Sequence, residues 1–474
     1  MADTDQGRMV RVPEASGTGT LDRFFGISQR GSTVRIEILA GLTTWLTMAY
    51  ILFVNPQILG AVTDKAGVTL TFPEVLTVTA LAAGVMTLAM GIFGKYPFAI
   101  AAGLGLNAFV AFTLVGTLGL TWPQAMGVIV AEGVLITIFV LTGVRELILN
   151  AIPMDLKRSI GIGIGLFIAF IGLVNAGVVV QAKPGPVPPV TIVQDFRSWP
   201  LAIFTFGLLV TSALVARRVK GALLIGIVAT TILATIVNEA RHLQVFTDGS
   251  AAWPHKLAAA PNFSLVGNFS FGFVSVLGFW TALAIVISVM LSDFFDTVGT
   301  VIGIGGEAKM LDADGRLPGM NRVLLVDSLA AVAGGVTSSS SNTTYIESAS
   351  GVSQGGRTGL TSVVVGGLFL LAMFFWPIAG MVPAVATAPI LVIVGYYMLT
   401  LVKDIEWSDP GIGIPALLTI TMMPFTYSIT NGVGAGFVSY TAIAVLRGRW
   451  RDVHPLMYVV SAIFVWYFVH GVVG

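Results

Sequence analysis

Leu291-Ser292-Asp293-Phe294-Phe295-Asp296-Thr297-Val298-Gly299-Thr300 closes an apolar run that begins near Val274, and it sets two carboxylates in a stretch that is otherwise apolar. Successive residues of a helix are rotated by about 100°. Asp293, Asp296, Thr297 and Thr300 therefore share one face, while Phe294 and Phe295 point elsewhere. An aspartate near the centre of a bilayer costs about 2.5–3.5 kcal/mol. A polar stripe of this kind is expected to face a protein interior or a water-filled cavity and to serve a substrate or ion pathway, rather than to cap a helix end.

Outward from that stretch, composition decides the class. The chain has 474 residues, 55% of them hydrophobic and 10% charged, with 55 glycines and 16 methionines. These values describe an all-α polytopic membrane protein in contact with the lipid bilayer. A net charge of +1 gives no sign of a nucleic-acid partner, and the lack of cysteine excludes disulfides, thiolate metal sites and a cysteine nucleophile. No metal site and no cofactor are expected. Residues 1–33 are polar and carry Arg8, Arg11, Arg23 and Arg30 ahead of the first apolar run, without a cleavable leader pattern. That segment is expected to be cytoplasmic, with the protein in the cell (inner or plasma) membrane.

At about 20 apolar residues per crossing, spans are expected near 36–59, 74–94, 103–118, 122–142, 156–176, 199–216 and 221–237 in the first half. The second half offers 274–304, 321–337, 341–353, 358–378, 384–402, 411–428 and 431–447, for fourteen in all. From an inside start, the cytoplasmic loops hold Arg145, Lys157, Arg158, Arg217, Arg218, Lys220, Lys309, Arg316, Arg322, Arg357, Lys403, Arg447, Arg449 and Arg451, as the positive-inside rule requires. The Pro-rich stretch Lys183–Pro189 and the polar stretch Asn238–Asn268 then fall outside, as loops facing water. Residues 455–473 suit either an interfacial helix or an extra span.

Spacing points to an internal repeat. Asn107 follows Asn55 by 52 residues and Glu347 follows Asp296 by 51, while Pro153 and Pro383 each stand twelve residues before a glycine, Gly165 and Gly395. Seven spans is an odd number, so the second copy enters the membrane upside down, giving a 7+7 inverted repeat of the secondary-transporter kind. Gly161, Gly163, Gly165 and Gly395 are expected to let two moving parts approach closely.

Two segments at corresponding places, Ala101–Phe109 in span 3 and Ser338–Ser348 in span 10, read as discontinuous half-helices. Each has a Gly- or Ser-rich approach to a helical turn whose free N–H groups would face the repeat interface. Asn342 suits an N-cap, and Glu347 has no packing reason to be there. Glu132 lies in the middle of span 4 with no cation nearby in sequence, either as a neutral acid bonded to a neighbour or as a second proton site. Asp327 reads as a structural or boundary charge. The four histidines, His242, His255, His454 and His470, lie in loops or in the C-terminal segment, so proton handling in the interior falls to carboxyls.

At these residues the chain resembles the azaguanine-permease-like branch of purine permeases within the nucleobase-cation symporter-2 (nucleobase-ascorbate transporter) family. The resemblance rests on Met48-Ala49-Tyr50-Ile51 with Asn55-Pro56, on Leu104-Gly105-Leu106-Asn107-Ala108, on Ser292–Thr297 and on Asn342–Ser348, and covers residues 21–452. It implies a core domain from residues 34–142 and 271–380, and a gate domain from 143–270 and 381–474 through which two copies pair as a homodimer. It also implies import of adenine, guanine or hypoxanthine with protons, and a role in the substrate site or an essential one for Asn107, Asp293, Asp296 and Glu347.

The residue chemistry agrees with that expectation. A purine edge offers ring N–H and exocyclic amine or carbonyl groups; carboxylates accept from the donors, and an amide such as Asn107 both donates and accepts. Asn55, Thr297, Thr300, Asn342 and Thr343 are the further substrate-binding candidates. A carboxyl withdrawn from water can hold a proton at neutral pH, so Asp293, Glu347, Asp296 and Glu132 are the coupling candidates, with sodium as the alternative ion. Asp293 is expected to contact substrate and Asp296 to tune selectivity. An anion carrier on the same fold would avoid such acids. A channel fits poorly with broken helices, and an intramembrane enzyme lacks a metal cluster or a base for Ser340 or Ser341.

Overall fold

The structure, a computed structural model, describes residues 19–143, 151–182, 190–195, 197–241, 246, 250–312 and 317–470. Arg8, Arg11, Arg145, His242, Arg316 and the Lys183–Pro189 stretch lie outside the described residues. The chain is mostly helical. In order it forms α1 (Thr20–Phe25), α2 (Val34–Met48), α3 (Ile51–Leu59), α4 (Phe72–Ala89), β1 (Ile100–Ala102), α5 (Leu104–Ala108) and α6 (Trp122–Thr142). Then come α7 (Met154–Asn175), β2 (Val179–Gln181), β3 (Val190–Ile192), α8 (Trp199–Ala216), α9 (Ala222–Arg241), α10 (Phe273–Leu277) and α11 (Phe279–Glu307). The last part holds α12 (Met320–Thr337), β4 (Asn342–Thr344), α13 (Ser348–Val352), α14 (Gly359–Ala372), α15 (Trp376–Ala379), α16 (Ala384–Leu399), α17 (Pro410–Thr426), α18 (Ile429–Leu446) and α19 (Pro455–His470).

Among the described residues, eleven helical segments are long and apolar enough to cross a membrane; Leu104–Thr117, Pro410–Thr426 and Pro455–Val469 are apolar but shorter. Local sequence explains their starts. Thr71 and Glu74 form a reciprocal cap on α4, Thr121 and Gln124 do the same on α6, and Pro73 and Pro123 sit in the first turns, where a missing N–H costs nothing. The first crossing, Val34–Leu59, is interrupted between α2 and α3 at Ala49–Tyr50.

The helices pack as two groups. In one, α4 and α2 lie against α14, and α6 lies against α12 and α11; in the other, α7 lies against α16 and α17, α8 against α9 and α16, and α17 against α18. Within the first group the extended segments β1 and β4 pair antiparallel, Ile100 opposite Thr344 and Ala102 opposite Asn342. The pairing continues on both sides, with Gly103 N donating to Ser341 O at 2.9 Å and Tyr345 N to Ala99 O at 2.9 Å. Asp327 on α12 anchors this ribbon. Its Oδ1 accepts from Thr344 N at 2.8 Å and Thr344 Oγ1 at 2.7 Å, and its Oδ2 accepts from Thr297 Oγ1 at 2.6 Å.

The apolar run after His454 is a helix, α19, packed along α18 and reaching α11. Ser461 meets Thr441 at 2.8 Å, the Tyr467 hydroxyl donates to Asn431 Oδ1 at 3.0 Å, and the Trp466 and Trp280 rings lie 6.4 Å apart.

The glycine expectation needs correction. A Cβ on Gly165 would stand 2.5 Å from Met398 Cβ and 3.0 Å from Gly395 O, and one on Gly395 would stand 2.5 Å from Gly165 O. The two glycines thus press α7 and α16 together inside one group. Gly163 likewise faces α17, at 3.2 Å from Thr419 O, and Gly161 has nothing within 4 Å. Close approach between the groups falls instead on Gly105, whose Cβ position is occupied by the Ile164 side chain. The spacing that matched Gly165 to Gly395 located a pair but not its partner surface.

Gly165→Leu should therefore lower stability by about 1–3 kcal/mol or more through overpacking, seen as a fall in the melting temperature of detergent-solubilised protein. Gly161→Leu, which enters open space, should leave that temperature unchanged. Asp327→Asn should also destabilise the protein, by about 1–3 kcal/mol, because an amide N–H₂ would face a donor that the carboxylate now accepts from. An unaltered melting temperature for Asp327→Asn would show that the ribbon does not depend on it.

Candidate functional site

A cavity of about 120 Å³ lies where the two helix groups meet. From the first group it is lined by Tyr50 at the α2–α3 break, Gly103–Leu106 at the start of α5, Ser292, Asp293, Asp296 and Thr300 of α11, and Thr343–Glu347 between β4 and α13. Ile164 and Ile168 of α7 and Val394, Tyr397 and Met398 of α16 close it from the second group. One wall is polar and the other largely apolar.

The polar wall follows from the β1–β4 ribbon. Because the chain is extended up to Ala102 and helical from Leu104, the first-turn N–H groups of α5 have no intrahelical acceptor and border the cavity. Across the ribbon, Tyr345 and Glu347 follow β4 directly, which carries Glu347 to the same space. The Tyr50 hydroxyl donates to Glu347 Oε1 at 2.6 Å, orienting a carboxyl that lines the cavity. Asp296 is exposed to the cavity and, among the described residues, takes no protein hydrogen bond or ion pair.

The expected site residues divide into three sets. Asp293, Asp296, Thr300, Thr343 and Glu347 all line the cavity. Thr297 does not; its hydroxyl bonds to Asp327 and lies 2.7 Å from Thr343 Oγ1, so it ties α11 to the ribbon. Asn55, Asn107 and Asn342 are completely buried and are also off the cavity wall. Asn55 Nδ2 donates to Thr79 Oγ1 at 2.8 Å and Ser339 O at 3.1 Å, and Asn342 Nδ2 donates to Ser339 Oγ at 3.0 Å. Both amide atoms of Asn107 lack a protein partner, as do Asn55 Oδ1 and Asn342 Oδ1. Asn55 thus ties α3 to α4 and to the segment ahead of β4, whereas the Asn107 side chain makes no tie of this kind.

Glu132, read from sequence as an isolated acid on span 4, is buried beside Asp293 and Ser341, with Ser341 Oγ 3.4 Å from Glu132 Oε2. Sequence reasoning overlooked Tyr50 and Tyr397 as site residues, although Tyr50 lies in one of the quoted motifs. A tyrosine pair, Tyr396-Tyr397, in the middle of an apolar span was the available signal for the second. Among the described residues no group of three or more His, Cys, Asp and Glu is arranged to hold a metal ion. The cavity offers hydrogen-bond acceptors and donors to an uncharged polar ring or to a cation.

Comparison with known proteins adds the lineage. The profile of the Permease family (Xan_ur_permease) matches residues 35–443. The adenine permease AdeQ of Escherichia coli (strain K12) is 41% identical over 449 residues, 94% of this chain and 96% of AdeQ. The guanine/hypoxanthine permease PbuG of Bacillus subtilis (strain 168) is 38% identical over 456 residues, 94% of this chain and 99% of PbuG. In fold, the chain resembles the transmembrane domain of the cyanobacterial bicarbonate transporter BicA, with a TM-score of 0.60 at 13% identity over 85% of this chain and 97% of that one. The murine anion transporter Slc26a9 in its inward-facing state gives 0.59 at 12% identity, over 93% and 74%. With the profile spanning most of its length and relatives matched end to end, the chain is a member of this permease family, the nucleobase-ascorbate transporters.

Proposed function

We propose that the protein imports purine nucleobases, namely adenine, guanine or hypoxanthine, by proton symport. The observation that carries this reading is the opening of two acids from different segments, Asp296 and Glu347, into one cavity with no paired cation among the described residues. Carboxyl oxygens accept from ring N–H and exocyclic amine groups, the Thr300 and Tyr397 hydroxyls can return a donor, and Ile164, Ile168 and Val394 cover the flat apolar face. The names of the relatives, adenine and guanine/hypoxanthine permeases, support the same substrate class. BicA and Slc26a9 favour an anion by fold alone. Three acids line the cavity and would repel one, so we set that reading second.

Alternating access is the transport mechanism that suits this architecture. We read the chain as fourteen segments in a 7+7 inverted repeat, with the core from 34–142 and 271–380 and the gate from 143–270 and 381–474. Two contacts support the repeat. β1 pairs with β4, and Gly165 meets Gly395, so positions equivalent in the two halves touch each other, as they do near a two-fold axis. The cavity lies between core and gate, where the packing of Ile164 onto Gly105 marks the surface that parts when the gate moves.

Purified protein in liposomes should accumulate labelled hypoxanthine or adenine when the outside is acid, and should not take up bicarbonate or sulfate. Anion uptake without purine uptake would overturn the assignment. Glu347→Gln should abolish or strongly impair purine uptake in a folded protein, because the amide keeps the shape but loses one acceptor. Tyr50→Phe should act more mildly, raising the apparent KM roughly tenfold through loss of about 1.5 kcal/mol from a bond to a charged group. Unchanged uptake kinetics in both variants would remove Glu347 from the binding site.

A further inference from the structure

Two acids meet beside the cavity, with no base next to them among the described residues. Glu132 comes from the middle of α6 and Asp293 from α11, and they are 0% and 1% exposed. The two carboxyls flank one hydroxyl. Ser341 Oγ stands between them, 3.4 Å from Glu132 Oε2 and 3.4 Å from Asp293 Oδ2, and its single proton can serve only one. No protein donor reaches Glu132 Oε1 or Asp293 Oδ1.

The surroundings offer no compensating charge. The other titratable groups that face the pair are Asp327, from α12, and Asp296, from α11, both acids; among the described residues neither member makes an ion pair. Asp327 is already supplied with three donors, from Thr297 and Thr344. Ionised carboxylates are acceptors only, so one hydroxyl cannot satisfy two of them, and like charges side by side do not both persist in a buried site that water does not reach. While the site is closed to water, the pair needs one proton besides that of Ser341.

We propose that Glu132 and Asp293 together form the proton-binding site of the transporter, separate from the carboxyls of Asp296 and Glu347 that face substrate. This rests on the reading of the protein as a purine–proton symporter. Asp293 belongs to both places, because it lines the cavity while Glu132 does not. With the proton on Glu132, Asp293 presents a carboxylate oxygen to a ligand N–H. When the ligand leaves and the cavity opens to the other side, the proton passes from the Glu132 carboxyl to Asp293 and from there to water, and water in the emptied cavity donates to the Asp293 carboxylate in place of the ligand while the carrier returns. One proton enters and one leaves per cycle, and no other group changes its charge. Glu132 acts through Asp293 and is in this sense a positioning and coupling residue.

The test separates coupling from binding. Glu132→Gln imitates the protonated acid permanently. In liposomes it should keep exchange of labelled for unlabelled hypoxanthine while losing accumulation driven by a pH gradient, and the pH dependence of hypoxanthine binding should flatten. Accumulation equal to the unsubstituted protein would overturn the proposal. A second readout needs no purine: infrared spectra of the ligand-free protein should show a protonated-carboxyl band that Glu132→Gln removes and Asp327→Asn retains. If the protein binds no purine, the substrate assignment fails while this band still decides the pair; a band untouched by Glu132→Gln overturns the pair itself. Should Glu132→Gln not fold, Glu132→Asp serves instead. A shorter acid must shift the pH midpoint of the band, and an unmoved midpoint rejects the proposal.

Discussion

No backbone N–H or C=O can be left unpaired where lipid replaces water, and the rest of this structure depends on how the chain meets that constraint at its two non-helical interruptions. Ile100–Ala102 and Asn342–Thr344 satisfy each other's backbone groups as an antiparallel pair. The ribbon is held from one side by Asp327, which bonds to Thr344, and from another by the Ser348 hydroxyl, which accepts from Ala99 N at 2.9 Å. Because the chain is extended here, a helix can begin at Leu104 beside the cavity, and Glu347 can be delivered to the same place from the opposite strand. Without the pairing, each break would leave unsatisfied polar groups at several kcal/mol apiece.

Donor supply then divides the acids into roles. Asp327 receives three donors and serves as a structural anchor. Glu347 accepts from the Tyr50 hydroxyl and lines the cavity. Asp296 receives none from the protein and is open to the cavity. Glu132 and Asp293 flank the one hydroxyl of Ser341. Five carboxyls of similar chemistry are thus distinguished by what surrounds them, as buried titratable groups generally are. Of the two acids of α11 that line the cavity, Asp293 is buried and Asp296 is exposed to it.

Helix contacts tell a parallel story. Gly165 and Gly395 allow α7 and α16 to touch backbone to backbone, which makes these two helices a rigid unit. The surface between the two helix groups is instead set by Ile164 over Gly105 and by the apolar side chains of α7 and α16 that roof the cavity. Helix α19 adds a contact from α18 to α11, so the C-terminal segment belongs to the packed body.

Much of this was legible in the sequence. Hydrophobic runs separated by Pro, Gly and basic residues mark the spans, since crossing lipid imposes length and apolarity locally. The polar stripe of α11 is visible from helical period alone, and Gly103, Ser340 and Ser341 announce breaks because few other residues tolerate extended chain at depth. Tertiary structure alone decided what those residues face. Thr297 and Asp293 share a helix face in sequence, yet one bonds to Asp327 on α12 and the other shares the Ser341 hydroxyl with Glu132 of α6. Glu132 has no partner within reach along the chain; it acquires Asp293 only when α6 packs on α11, 161 residues away in sequence. Periodicity determines which residues line a helix face, but a side chain's hydrogen-bond partner depends on which helix packs against that face, and local sequence carries no record of it.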